Sequence, residues 1–279
     1  MSTVAARLRN IFGRKARRPR PDDDGVTYRP LLPYQERIDA WRTVLDDDDR
    51  RRAIYDHVAA SVDPEAFAAL QEAYRDEVLA ADMLAPTKYL DLAPWFMIHS
   101  RIARVLDLDR RPPCSILDIG AGGGQFLAIA KSYGHKVVAF DQPHPQVYRD
   151  LLALFDIPRV DGSIKLGEPL PASIDRFDLI VINGQVFDVY FKPYRRWETP
   201  EWASFLEYLA ARHLNLPGQL FIGLNKSAGP TWSEDYYWPI VDLCREHGAE
   251  INRKRATINM KLAAPLRFPD VGHIDWLDH

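Results

Sequence analysis

The fold of this 279-residue chain is decided by the stretch LDIGAGGGQF, residues 117–126. Residues 115–119 are an apolar run typical of a buried strand, and a helical pattern begins near residue 124. Glycines at 120, 122 and 124 occupy the turn between them. Glycine allows the backbone to turn sharply and to approach a ligand closely, although purely structural turns use it too. The stretch therefore predicts a strand, a turn that can hold a ligand, and a helix in succession.

The rest of the chain alternates between predicted strands and helices around this turn. Strands are predicted near 115–119, 136–140, 159–164, 177–182, 219–224, 249–254 and 257–263. Helices are predicted near 90–106, 124–133, 145–155, 200–213 and 233–247. Apolar runs without alternation are typical of strands that are buried on both faces of a parallel sheet. We therefore predict an α/β fold with a mostly parallel seven-stranded sheet sandwiched by helices.

Two segments precede this pattern, so three regions are expected. Residues 1–24 form a tail with seven basic residues between Arg7 and Arg20, and residues 25–87 show the apolar spacing of helices. Residues 88–279 form the main domain. Charge runs of this kind are usually solvated tails. Weak contact of the basic amphipathic tail with an anionic membrane, or with nucleic acid, is the alternative.

Composition limits the class of protein. The net charge is −3, which gives no global bias toward nucleic acid. The two cysteines, Cys114 and Cys244, lie far apart and form no metal-binding or disulfide pattern, which favours a reducing compartment. No apolar run reaches the roughly 20 residues that a membrane helix needs. The sequence thus predicts a cytoplasmic protein without a metal site.

Two aspartates accompany the glycine turn. Gln125 stands where a GxGxxG fingerprint has its last glycine, which disfavours a dinucleotide pyrophosphate site. Asp118 places a carboxylate in an apolar strand, where burial is costly without a cationic ligand or backbone N–H groups as partners. Asp141 ends the second strand, 21 residues after Gly120, and can accept hydrogen bonds from a ribose diol. A solvated strand end or a cap is the alternative for Asp141.

These features resemble a known family. The segment Ser115–Gln125, followed by Asp141, resembles the first two motifs of class I methyltransferases, which use S-adenosyl-L-methionine (SAM) and have a Rossmann-like sheet. Residues 177–183 resemble the fourth strand of that family, and LNLPGQL at 214–220 resembles the turn before its fifth strand. The likeness covers about residues 88–263. More narrowly, the chain resembles uncharacterised bacterial methyltransferase-domain proteins that carry the segment KYLD, here residues 88–91.

The resemblance implies a set of cofactor-binding residues. Asp118, Gly120 and Gly122 would border the methionine part of SAM, and Asp141 would hold the ribose hydroxyls. The end of the fourth strand would face the methyl group. The full predicted cofactor set is Asp118, Gly120, Ala121, Gly122, Asp141, Gln142, Lys165, Leu166 and Asn183. Many relatives have an acid near the end of the third strand to bind adenine, but residues 163–167 contain none, so backbone groups around Lys165 and Leu166 are assigned to adenine.

The acceptor side is less specific. The loop after the fourth strand lacks the Asn-Pro-Pro-Tyr motif of enzymes that methylate amino groups of nucleic acids. Aromatic residues follow, which either stack on a substrate or fill the core. Asp188 is the candidate general base because it follows the strand end directly, and a loop-capping role is the alternative.

Three functions are compatible with these residues. The first is SAM-dependent methyl transfer to an unidentified acceptor, with a small molecule or a glycan as the candidate class. The second is a non-catalytic SAM-binding or scaffold protein, since the motifs indicate binding rather than turnover. The third is a nicotinamide-dependent oxidoreductase on a similar sheet, which Asp118 and Gln125 disfavour.

Overall fold

The computed structural model describes residues 28–45, 48–81, 85–184, 187–191, 194–225, 237–269 and 271–272. The predicted basic tail, residues 1–24, and its membrane contact lie outside the described residues. Within the described ranges, no helix combines the length and apolarity needed to cross a bilayer.

The predicted helical extension is present. Its helices are α1 (Tyr34–Arg42), α2 (Asp49–Ala60), α3 (Pro64–Ala73) and α4 (Arg75–Ala80). Asp63 caps α3 by accepting hydrogen bonds from the backbone N–H groups of Glu65 (2.9 Å) and Ala66 (3.1 Å). Helices α3 and α4 are separated at Tyr74, whose backbone leaves the helical region (φ −106°, ψ 10°).

Seven strands form the main sheet: β1 (Ser115–Ile119), β2 (Lys136–Asp141), β3 (Arg159–Asp161), β4 (Phe177–Asn183), β7 (Leu214–Gly223), β8 (Glu250–Asn252) and β9 (Thr257–Leu262). Their order is β3-β2-β1-β4-β7-β9-β8. Only the two pairings of β9, with β7 and with β8, are antiparallel among those of this sheet. The predicted fold class is confirmed.

A separate two-stranded hairpin lies outside the predicted pattern. It consists of β5 (Val189–Phe191) and β6 (Tyr194–Arg196). Strands of three residues are too short to show a period in the sequence, so no signal indicated them.

Helices cover both faces of the sheet. They are α5 (Leu92–Val105), α6 (Gln125–Ser132), α7 (Gln146–Leu154), α8 (Thr199–Arg212) and α9 (Trp238–Glu246). One buried cluster joins the extension, through residues such as Trp41 and Phe67, to Phe126 at the start of α6. A second cluster on the other face includes Phe205 of α8 and Ile240 of α9. The extension therefore packs on the face where the glycine turn enters its helix.

Candidate cofactor and acceptor site

The glycine turn has a backbone that only glycine adopts without strain. Gly122 has φ +55° and Gly124 has φ +76°, both in the left-handed region. A Cβ on Gly124 would also lie 2.4 Å from Leu152 Cδ2, which is too close for two carbon atoms. The turn therefore requires glycine at these positions, and it directs the N-terminus of α6 toward the carboxyl edge of the sheet.

Asp141 is bound directly to this turn. Its Oδ2 accepts a hydrogen bond from the backbone N–H of Gly122 at 2.7 Å, and its Oδ1 accepts one from the N–H of Gln142 at 2.7 Å. Burial raises the pKa of Asp141, although these two N–H donors act against that shift. Each carboxylate oxygen can accept a further hydrogen bond. The structure thus brings Gly122, Asp141 and Gln142 together in a form compatible with a bound diol.

Asp118 lies in the interior of the same edge. The residue is only 4% exposed, and among the described residues no group donates a hydrogen bond to its carboxylate. Burial, together with a smaller effect of the nearby Asp141 charge, raises the pKa of Asp118 to about 8. A buried carboxylate without a donor is costly in its charged form, so a cationic ligand group would stabilise it.

This arrangement predicts pH-dependent cofactor binding. A ligand ammonium group favours the Asp118 carboxylate, so it lowers the pKa of Asp118 below about 8 and binding releases a proton. Affinity for SAM should therefore rise from pH 6 to 7.5, by at most about tenfold per pH unit. Over this range the α-amino group of the ligand stays mostly protonated, because the pKa of such a group is about 7.7–8.0. Calorimetry in buffers of different ionisation enthalpy measures the proton directly. Asp118→Asn should remove the dependence, and pH-independent binding by the parent protein would contradict this assignment.

Asn183 ends the neighbouring strand. Ile119 of β1 pairs with Ile182 of β4, so Asn183 lies beside Gly120 at the same edge. On its other side Asn183 pairs with Gly223 of β7. A Cβ added to Gly223 would lie 2.1 Å from the Asn183 Oδ1, so the two residues are in close contact. The predicted positions at the ends of β1, β2 and β4 are therefore adjacent.

The adenine side differs from the sequence interpretation. Strand β3 ends at Asp161, three residues earlier than predicted, so an acid does stand at its end. The carboxylate of Asp161 forms ion pairs with Arg159, at 2.7 Å, and with Arg149. Lys165 is exposed and pairs with Glu168 at 2.9 Å. Leu166, half-buried, packs against the second core cluster, and neither residue forms a described hydrogen bond with Asp141.

Tyr89 is a site residue that sequence reasoning missed. It belongs to a 3₁₀ helix, residues 86–90, and its ring lies 3.6 Å from the position of a Cβ on Gly122. The Tyr89 carbonyl accepts a hydrogen bond from Gln125 Nε2 at 3.0 Å, and its ring stacks on Trp95 with centroids 4.3 Å apart. Burial raises the pKa of Tyr89 to about 12. Tyr89 belongs to the KYLD segment, residues 88–91, which contributed to the family resemblance but was given no role in binding.

Asp91 holds this segment in place. It is 2% exposed and accepts hydrogen bonds from Arg37 Nε (3.0 Å), from Arg37 Nη2 (2.6 Å) and from the backbone N–H of Arg29 (2.6 Å). These donors stabilise the buried carboxylate in its charged form. Because Arg29 and Arg37 belong to the helical extension, their bonds to Asp91 hold the extension next to the segment that contains Tyr89.

The structure buries Asp188 completely. Its Oδ2 contacts Arg196 Nη1 at 3.4 Å and accepts a hydrogen bond from the Tyr237 hydroxyl at 3.1 Å, while its buried Oδ1 has no hydrogen-bond partner within the part of the chain that the structure describes. Burial raises the pKa of Asp188, although Arg196 and Tyr237 act against that shift. Neither Arg196 nor Tyr237 belongs to the predicted cofactor-binding set. Nearby, Trp197 and Trp202 are buried, as the core interpretation of the aromatic residues predicted.

Comparison with known proteins gives distant structural likenesses. No protein-family model matches the chain, and no curated protein matches it. Solved structures with similar folds include a TehB-like SAM-dependent methyltransferase from Corynebacterium glutamicum, with 18% identity, a TM-score of 0.39, and 71% of this chain and 97% of that chain covered. A candidate SAM-dependent methyltransferase from Methanococcus maripaludis has 18% identity, a TM-score of 0.40, and 59% and 83% covered.

A third similar structure is the fibrillarin pre-rRNA processing protein of Methanococcus jannaschii. It has 16% identity and a TM-score of 0.37, with 53% of this chain and 64% of that chain covered. All three identities lie below 25%, and all three TM-scores lie below 0.5.

Proposed function

We propose that this protein is a SAM-dependent methyltransferase. The observation that supports it best is the hydrogen bond from Gly122 to Asp141, next to the buried carboxylate of Asp118. This edge offers hydrogen-bond acceptors for a diol and a partner for an amine, as the adenosine and methionine parts of SAM require. The sheet, with a single antiparallel strand β9, has the arrangement found in methyltransferases.

The residues on the cofactor side would bind and orient rather than react. SAM would supply a methyl group on its sulfonium: the acceptor atom would bond to the methyl carbon in line with the carbon–sulfur bond, which would break and release S-adenosylhomocysteine. Asp141 would hold the ribose hydroxyls and Asp118 the amino group. Tyr89 would exclude water above the glycine turn. Orientation of two reactants in this way can supply much of the rate, on the order of 7–11 kcal/mol of the barrier in favourable cases.

Asp141→Ala should weaken SAM binding by about 1–3 kcal/mol, because hydrogen-bonding groups of the ribose would be left without partners. Calorimetry measures the affinity. Asp156→Ala, which removes an exposed carboxylate paired with Lys131 at 2.7 Å, is the matched control and should bind SAM like the parent. Equal affinity of the parent and the Asp141 variant would mean that the pocket lies elsewhere.

Asp188→Asn tests the proposed base. If Asp188 accepts a proton from the acceptor, or anchors it, the variant should lose turnover by roughly 10²-fold or more while its SAM affinity is unchanged. The substitution keeps the size of the side chain, so unfolding temperature serves as the stability control. Unchanged turnover would leave Asp188 with the structural role that its contacts with Arg196 and Tyr237 already provide.

The activity itself is tested by transfer of a labelled methyl group from SAM into a cell extract. Labelled product that depends on the protein supports an enzyme. SAM binding with no product in any extract fraction would favour the non-catalytic alternative, whereas selective nicotinamide binding would favour the oxidoreductase.

A further inference from the structure

The acid at the end of β3 lies next to the residue assigned to the ribose. Strand pairing sets Asp161 beside Asp141, and the backbone N–H of Gly162 donates to the Asp141 carbonyl at 3.0 Å. In SAM the adenine ring is bonded directly to the ribose. If Asp141 holds the ribose hydroxyls, the groups around Asp161 therefore decide which atoms of the base this edge can bind.

Both carboxylate oxygens of Asp161 are bound to guanidinium groups. Its Oδ1 accepts a hydrogen bond from Arg159 Nε at 2.7 Å, and its Oδ2 accepts one from Arg149 Nη2. These hydrogen bonds, that of Arg159 most of all, hold the pKa of Asp161 below its ordinary value. A carboxylate binds a base by accepting a hydrogen bond from an amino group. Two cations therefore compete with the 6-amino group of adenine for the lone pairs of Asp161.

The same two arginines bind the loop that follows Asp141. Arg159 Nη2 donates to the Gln142 carbonyl, and Arg149 Nε donates to the Pro143 carbonyl at 3.1 Å. Burial raises the pKa of Asp141, and the charge of Arg159 is one of the effects that act against that shift. The guanidinium of Arg159 is thus fixed beside the ribose end of the predicted pocket.

One nitrogen of Arg159 is buried without an acceptor. The side chain is only 8% exposed, and its Nη1 has no hydrogen-bond partner among the residues that the structure describes. A buried N–H group without an acceptor costs free energy, so a ligand atom that accepts its hydrogen bond would be favoured. A guanidinium has donors only. It can pair with the ring nitrogens of a purine or with a 6-oxo group, but not with a 6-amino group.

We propose that Arg159 binds the purine ring of the cofactor by donating a hydrogen bond from Nη1 to an acceptor atom of the ring. This proposal rests on the proposed function. It follows that the site does not select the 6-amino group of adenine, because Arg159 cannot accept a hydrogen bond and Asp161 is held by two cations. A nucleoside with a 6-oxo group can make the same contacts.

The test compares two ligands that differ at this position of the base. The full chain is titrated by calorimetry with S-adenosylhomocysteine and with S-inosylhomocysteine, which has a 6-oxo group in place of the 6-amino group. The parent should bind the two with affinities within about threefold of each other, because neither group at this position is selected. Arg159→Met should shift the preference toward the 6-amino ligand by at least about fivefold, because the donor is lost and Asp161 Oδ1 is freed.

Two further variants complete the test. Lys131→Gln removes a cation that pairs with Asp156 at 2.7 Å, beyond the other end of α7, and should leave both affinities like those of the parent. Arg149→Gln, at a side chain that is 37% exposed, frees Asp161 Oδ2 with less disturbance of the interior. It should shift the preference in the same direction, and it decides the question if the Arg159 variant does not fold.

The outcomes separate this proposal from the function on which it rests. Failure of S-adenosylhomocysteine to bind the parent overturns both. If the parent binds S-adenosylhomocysteine but prefers it to the 6-oxo ligand by more than about threefold, only the role of Arg159 is overturned. A folded Arg159→Met variant whose preference equals that of the Lys131→Gln control overturns this role as well.

Discussion

Gly122→Val should abolish SAM binding, with a loss of at least 100-fold in affinity. The new side chain would project toward the Tyr89 ring, since its Cβ alone lies 3.6 Å from that ring, and the two methyl groups would fill the space beside the Asp141 carboxylate. A left-handed backbone also costs a residue with a Cβ roughly 1–2 kcal/mol, so a modest loss of stability accompanies the loss of binding. Calorimetry with SAM measures the affinity, and urea unfolding measures the stability.

Gly134→Val is the matched control. Gly134 has φ +84°, so the backbone strain is similar, but no atom lies within 4 Å of an added Cβ. This variant should lose similar stability and keep the parent's affinity for SAM. If Gly122→Val binds SAM like the parent, or if both variants lose binding equally, the glycine turn does not form the cofactor pocket.

Asp91→Ala should destabilise the protein by about 3–5 kcal/mol, the usual cost of removing one partner of a buried ion pair. The variant leaves Arg37, whose side chain is only 12% exposed, without the Asp91 carboxylate, and the Arg29 N–H loses its acceptor. Urea unfolding followed by circular dichroism measures the change. Because Asp91 fastens the segment that contains Tyr89, SAM affinity should also fall.

Asp56→Ala provides the comparison for this ion pair. Asp56 contacts Arg42 at 2.5 Å, but the two side chains are 31% and 53% exposed, so solvent screens the pair. Its loss should cost less than about 1 kcal/mol. Equal destabilisation by the two substitutions would show that Asp91 does not hold the extension in place.

The sequence was most informative where structure is local. The apolar run of β1, the glycine turn and the start of α6 are contiguous, so their pattern predicted both the strand–turn–helix unit and the position of Asp118. Asp141 could be placed because a parallel sheet brings the ends of β1 and β2 to one edge. Asn183 was assigned through the family resemblance, and strand pairing places it beside Gly120.

Features that depend on distant contacts could not be predicted. Tyr89, which lies against Gly122, belongs to a segment that is bound through Asp91 to Arg37, 54 residues away, and no local pattern reports that pair. The Tyr237 hydroxyl reaches Asp188 across 49 residues, so burial of Asp188 was equally hidden. The third strand was predicted three residues too long: it ends at Asp161, and the N–H of Gly162 still donates to the Asp141 carbonyl of β2 at 3.0 Å.

Titration calorimetry of the full chain measures whether this edge binds SAM. S-adenosylhomocysteine, SAM, NAD and NADP are titrated in turn at pH 7.5. We expect both sulfur nucleosides to bind with one site per chain and at least 100-fold more tightly than either nicotinamide cofactor. Tight binding of NAD or NADP without binding of SAM or S-adenosylhomocysteine would contradict the assignment.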